Sequence, residues 1–95
     1  MRLVNNHGSV REGDSISYEH FIYYLEQGRE IEFSYLDELY FIDNAKKGRA
    51  LWLGQTLLSG YCVGDCIFWL DSLKINGERL ADLLKSQEIK ISTIF

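Results

Sequence analysis

The sequence predicts an α+β fold: an N-terminal helix, a three-stranded antiparallel meander, two short helices and a C-terminal strand joining the sheet. Three observations predict it. Apolar residues recur with a helical period over residues 18–25 and again over 66–84. From Ile31 to Leu53 the period falls to two, and short Gly- or Asn/Asp-bearing breaks separate the runs. The 95 residues are 46% hydrophobic, which fills one core and leaves no room for a second.

Residues 1–15 are polar and hold no sustained period, so they are expected as a flexible N-terminal arm, with a short extended piece at Arg2–Asn5, before a single domain over 16–95. Ser15 or Ser17 can cap the first helix, with Glu19 in its first turn at the positive end of the helix dipole. Tyr18, Phe21, Ile22 and Leu25 form its apolar stripe, and Gly28 sits where a left-handed stop belongs. Ile31, Phe33 and Tyr35 then alternate with Glu30, Glu32 and Ser34, as in a half-buried strand. A tight connection at Leu36–Glu38 leads into a second strand, Leu39–Asp43. Asn44–Gly48 is a turn, and Arg49–Gly54 is a third strand with Leu51 and Leu53 on one face and Trp52 on the other. Gln55–Gly64 fits an extended third strand, a fourth strand or a loop. Helical spacing returns from Asp65 with Cys66, Trp69, Leu70 and Leu73, is broken at Ile75-Asn76-Gly77, and resumes over Glu78–Ser86. Ile89 and Ile91 begin a closing strand that runs to Phe95. The expected core is Ile31, Phe33, Leu51, Leu53, Leu70, Leu83 and Ile91 under the helices, with the other sheet face partly wet and acidic.

Charge is distributed unevenly along this frame. Residues 12–43 hold nine acids against Arg29 alone, a balance of −8 within a chain of net charge −4. A folded acidic surface suits a basic partner. The plain alternative is that these acids solvate an amphipathic helix and a one-sided sheet. Lys46, Lys47 and Arg49 are the one basic cluster, too thin on an acidic chain for a nucleic-acid footprint. No stretch approaches the roughly 18 consecutive apolar residues of a membrane span, and the first residues lack an apolar run of signal-peptide length. A cytoplasmic setting away from membranes is expected.

Gly28-Arg29-Glu30-Ile31-Glu32-Phe33-Ser34-Tyr35, followed by Tyr40-Phe41-Ile42, resembles the opening of a group of small uncharacterised bacterial proteins. In that group a short helix precedes G-R-E-I-E-F-S-Y, and an Asn-Gly turn leads to the second strand. Ile75-Asn76-Gly77-Glu78-Arg79-Leu80 and Ile89–Phe95 are similar to its C-terminal segment. The resemblance covers about two-thirds of the chain and rests on strand and turn signals. It implies an accessory protein of the immunity or prophage kind and supplies no catalytic residue. Leu36-Asp37 departs from the group's Asn-Gly, which leaves the hairpin turn type open.

No serine-hydrolase elbow, metalloprotease His pair, glycine-rich phosphate loop or calcium-loop spacing occurs, so no catalytic residue, metal ligand or cofactor is assigned. Cys62 and Cys66 fit two free thiols filling core space in a reducing compartment; with His7 and His20 they are also four nominal zinc ligands, at a spacing that suits zinc poorly. The reading adopted is a non-enzymatic protein-binding module, immunity-like, inhibitory or regulatory, that occludes a basic protein partner. Its candidate contacts are Glu19, Glu26, Glu30, Glu32, Asp37, Glu38 and Tyr40. Reversing Glu30, Glu32 and Glu38 to Lys is expected to slow association and leave the domain folded. Tyr23, Tyr24, Tyr40, Trp52 and Trp69 are the aromatics expected off the main core stripes, either at an interface or in a second packing layer. The alternative function is a small-ligand or anion-binding module with a sheet–helix pocket near Trp52 and Trp69. A redox protein built on Cys62 and Cys66, or a homodimer through the closing edge strand, are further options.

Overall fold

The computed structural model describes residues 11–95, and shows an α+β architecture with a five-stranded antiparallel sheet and three helices. Among the described residues no helix is long and apolar enough to cross a membrane. Helix α1 spans Tyr18–Glu26. Its cap is Ser17, whose hydroxyl accepts from the His20 amide at 3.1 Å, satisfying one of the donors a helix start leaves open. Its end is a Schellman motif: Gly28 N–H donates to Leu25 O at 3.0 Å and Arg29 N–H to Tyr24 O at 3.0 Å, with Gly28 at φ 80°.

The chain then enters β1 (Ile31–Tyr35), turns, and returns as β2 (Glu38–Ile42), with Tyr35 opposite Glu38. The connection is therefore two residues long. Leu36 and Asp37 both take positive φ, 51° and 64°, the conformation of a type I′ turn. Register, not side-chain preference, imposes that geometry. The turn at Ala45–Gly48 leads to β3 (Leu51–Leu53), shorter than the expected Arg49–Gly54 because Arg49 pairs with Cys62 instead. Residues 55–64 are part strand and part loop: β4 (Thr56–Leu57) extends the sheet, and the Ser59 hydroxyl accepts from Leu51 N–H at 2.9 Å.

Helix α2 covers Ile67–Ser72. The break after it is a hairpin of β5 (Lys74–Ile75) and β6 (Glu78–Arg79), with Asn76 and Gly77 at φ 53° and 82°. Asn-Gly is a strong hairpin signal, so Glu78 and Arg79 pair as strand where a helix was expected. Helix α3 is accordingly reduced to Leu80–Lys85. Strand β7 (Lys90–Ile94) pairs with β1, giving the order β4-β3-β2-β1-β7. A bulge between Glu32 and Phe33 shifts its register and leaves Ser92 as the extra residue.

Of the arm expected over 1–15, residues 1–10 lie outside the described residues. Gly13 N–H donates to Ile91 O at 2.7 Å, Ile91 N–H donates to Asp14 O at 2.8 Å, and Ser15 bridges Lys90, so this part of the arm lines the edge of β7.

Ile31, Phe33, Tyr35, Tyr40, Ile42, Leu51 and Ile91 point from the sheet toward the helices, where Phe21, Leu25, Leu70, Leu80, Leu83 and Leu84 are buried against them. Six of the seven expected core residues are buried; Leu53 is half-buried near the sheet's short end.

Leu36 is 64% exposed, so its side chain returns little burial for its left-handed backbone. Replacing Leu36-Asp37 with Asn-Gly should raise the unfolding free energy by about 1 kcal/mol. Urea denaturation checks it; an unchanged or lowered midpoint would show that the turn is not strained.

Candidate functional site

A one-sided antiparallel sheet ordinarily shows polar residues to solvent. Here the outward positions of three strands are apolar. Leu57 pairs with Trp52, Trp52 with Phe41, Phe41 with Glu32, and Glu32 with Thr93, so the five residues form one row across the sheet. Neighbouring strands are about 4.8 Å apart, which makes Leu57, Trp52 and Phe41 a continuous apolar stripe. Leu39 and Phe95 flank it at 48% and 57% exposure, and the Phe95 ring meets Phe41 edge-on at 5.8 Å. Phe95 is held by its amide on Glu30 O at 2.9 Å and by Arg29 Nε, which donates to its carbonyl. A shallow cleft of about 310 Å³ lies among Glu32, Leu39, Phe41 and Phe95.

Of the acidic candidates Glu32 stands in this row, and the others are spread elsewhere. Glu19 and Glu26 are exposed on α1, and Asp37 and Glu38 are exposed at the β1–β2 turn. Glu30 and Glu32 are half-buried and serve the fold. A Glu30 carboxylate oxygen accepts from Asn44 N–H at 2.8 Å, and Glu32 accepts from the hydroxyls of Ser92 at 3.0 Å and Thr93 at 3.4 Å, which fastens the bulge. Lys at either position would lose those bonds, so charge reversal at these two sites disturbs folding as well as surface charge. Tyr40 is 4% exposed and stacks on Phe33 at 5.5 Å. It stands in the core because even-numbered positions of β2 face the helices. Burial, then the nearby Glu38, raises its phenol pKa.

The basic trio does not form a cluster. Lys46 and Lys47 are exposed, Lys47 lying 5.5 Å over the Tyr61 ring, whereas Arg49 turns inward and is 6% exposed. Its Nη1 donates to Arg29 O at 2.9 Å and Asp43 O at 3.2 Å, and its Nη2 to Leu25 O at 2.9 Å. One side chain thus ties the end of α1, the entry to β1 and the exit from β2. Burial pulls its pKa down, opposed by the carboxylates of Glu30 and Asp43. Its backbone exchanges both hydrogen bonds with Cys62, at 2.7 and 2.8 Å.

Cys62 and Cys66 are half-buried and joined in a disulfide, which corrects the expectation of two buried free thiols. Four residues of separation allow a bridge when the loop curls, and Gly64 at φ 84° lets it curl. Gly48 matters to the same loop, because a Cβ there would collide with the Cys62 carbonyl. Among the described residues no group of three or more His, Cys, Asp and Glu is arranged to hold a metal. His20 stacks on Tyr24 at 4.8 Å, and His7 lies outside the described residues.

The two tryptophans stand on different elements, Trp52 on β3 and Trp69 on α2. Trp52 sits on the open face with its indole N–H on Asp43 at 3.2 Å; Trp69 packs against the core and donates to Gly60 O at 3.2 Å. Tyr23 likewise packs against the core, and Tyr24 is buried in it. A separate cleft of about 300 Å³ opens between α1, Arg49 and the disulfide loop.

No family model, curated protein or solved structure matches the chain. The open face and the Arg49 cleft therefore stand on their own geometry. Sequence reading missed both: alternation identified Trp52 as outward, but the row needed the strand register, and Arg49 looked like one of three turn cations.

Replacing Arg49 with Met would take the side-chain donor from Arg29 O and Asp43 O and leave Leu25 O with Gly28 N–H alone, and should cost roughly 3 kcal/mol of stability in urea unfolding; Lys, with one nitrogen, should recover only part. A loss below about 1 kcal/mol would show that water replaces the guanidinium. The tyrosines give a pH signature. Tyr18 is raised by its hydrogen bond to Asp71 and then by burial; Tyr35 and Tyr40 are raised chiefly by burial. Native values above the ordinary 10.0 mean that this stability is fully present below pH 10.0 and is lost as pH rises through the native values. Denaturation midpoints on either side of that pH, read beside phenolate absorbance, check it; a midpoint that rises with phenolate formation contradicts it.

Proposed function

We propose that the protein is a non-catalytic module that binds another protein through the uncovered face of its sheet. The observation that carries this reading is the registered stripe of Leu57, Trp52 and Phe41, extended by Leu39 and Phe95, where outward polar residues would be the rule. Aromatic anchors in a flat apolar centre are what protein interfaces favour. The exposed Glu19, Glu26, Asp37 and Glu38 lie away from this stripe and fit the role of steering a basic partner during encounter. They set the approach; the apolar row holds the complex.

Stoichiometric occlusion by such a surface suits the accessory, immunity-like or inhibitory role implied by the resemblance of Gly28–Tyr35. A cytoplasmic setting belongs to the proposal but no longer draws on free thiols, since disulfides are commoner in oxidising compartments.

The test is capture of partners by the tagged protein from its native host, compared across two sets of variants. Leu39→Glu with Leu57→Glu, both at exposed positions, should lose the partner by about tenfold or more while circular dichroism stays native. Glu19→Lys with Glu38→Lys should slow association and weaken its salt dependence, with the bound complex retained. Undiminished capture by the Leu39/Leu57 pair would overturn the reading. Loss of the complex on charge reversal alone would return the acidic residues to the centre of the interface.

A further inference from the structure

The cleft beside Arg49 has a composition that the protein-binding reading does not use. Ile22 and Leu25 of α1 and Ile67 of α2 give it apolar walls, Glu26 and Asp65 bring two carboxylates, and buried Arg49 lines it. Three of the five N–H groups of that guanidinium go to main-chain carbonyls. Both Nη1 hydrogens are engaged. The remaining donors are Nε–H and one Nη2 hydrogen, with no partner among the described residues, and Nε and Nη2 are the two nitrogens along one side of the planar fork. An edge of that kind matches a carboxylate, which it receives with two parallel bonds.

A simple anion is nonetheless a poor match. Glu26 and Asp65 line the same cleft, and the carboxylates of Glu30 and Asp43 also act on the guanidinium. The latter two are engaged, Glu30 by Asn44 N–H and Asp43 by Ala50 N–H and the Trp52 indole. Among the described residues the two in the cleft are open: Asp65 accepts there only from Ile67 N–H, through Oδ1 at 3.1 Å, and Glu26 has no side-chain hydrogen bond there. Among the described lining residues two carboxylates face one guanidinium, so a ligand that matches them brings an ammonium as well as a carboxylate. A volume of about 300 Å³ is at the small end of ligand pockets, right for a metabolite and too small for a nucleotide.

We propose that this cleft binds a free α-amino acid with an aliphatic side chain. Its carboxylate lies on the Nε/Nη2 edge of Arg49, its ammonium between Glu26 and Asp65, and its side chain on Ile22, Leu25 and Ile67. Asp65, Cys66 and Gly64 belong to the disulfide loop, so the bridge holds one wall of the site in place.

Titration of the intact, oxidised protein with L-leucine, followed by amide NMR and calorimetry, tests this directly. Saturable shifts at Ile22, Arg49 and residues 64–67 are expected. Leucinamide, lacking the carboxylate, and 4-methylpentanoate, lacking the ammonium, should each bind about tenfold more weakly or worse. Arg49 is too central to the fold to be removed cleanly, so the variants are elsewhere. Glu26→Gln with Asp65→Asn keeps the acceptor for Ile67 N–H; it should weaken leucine and spare 4-methylpentanoate. Ile67→Trp should fill the cavity and abolish binding with the fold kept. No saturable shift with leucine would overturn the proposal, as would affinity indifferent to Ile67→Trp. Equal binding of 4-methylpentanoate and leucine would overturn the zwitterion assignment and leave a carboxylate site. None of these outcomes bears on the open sheet face.

Discussion

A buried guanidinium with three main-chain carbonyls around it is the contact on which this small domain depends. Leu25 O, Arg29 O and Asp43 O belong to a helix end, a strand entry and a strand exit, and the guanidinium draws the three to one point. Each carbonyl would be costly to bury without a donor. Arg49 supplies all three from one planar group, and its own backbone then fixes Cys62 and the disulfide loop. The arrangement explains why α1 stops at Glu26, why the chain turns straight into β1, and why the loop after β4 folds back onto the start of β3. A lysine cannot do this, because its donors radiate from one atom.

With that corner fixed, the sheet has one face to bury and one to spare. All three helices lie on the side of Phe33, Tyr40 and Leu51. No helix among the described residues lies on the side of Phe41 and Trp52, yet β2, β3 and β4 put large apolar groups there. Solvation of an amphipathic sheet would call for Thr, Ser, Lys or Glu at those positions, and β1 and β7 do follow that rule with Glu32, Ser34, Lys90 and Thr93. The asymmetry within one face separates an apolar half from a polar half.

Much of this was legible in the residues. Two-residue alternation located β1 and β7, and helical spacing located α1, because local pattern and tertiary burial agree in those segments. The misses have physical sources. Asn76-Gly77 does break the helical pattern, but as a hairpin turn that makes Glu78 and Arg79 strand and not helix, and Leu36-Asp37 adopts that same hairpin geometry without the residues that favour it. Tyr40 was placed on the surface because its position relative to the core depends on pairing with Leu53 and Phe33, which a single strand does not reveal. Arg49 illustrates the larger gap. Its role comes from three carbonyls at positions 25, 29 and 43, and carbonyls leave no trace in side-chain pattern. The cysteines were read by their count; whether two thiols four residues apart meet depends on the curl of the loop between them.

The bridge between Cys62 and Cys66 encloses only Val63, Gly64 and Asp65, all exposed, with Val63 at 78%. A protease that cuts within those three residues produces two polypeptides and separates neither. The first carries α1 through β4, the second carries α2 through β7, and the covalent link is reinforced by the long-range pairing of β1 with β7. Nicking there yields a two-chain form of the same fold, recognisable because it falls apart in electrophoresis only once a reductant is added.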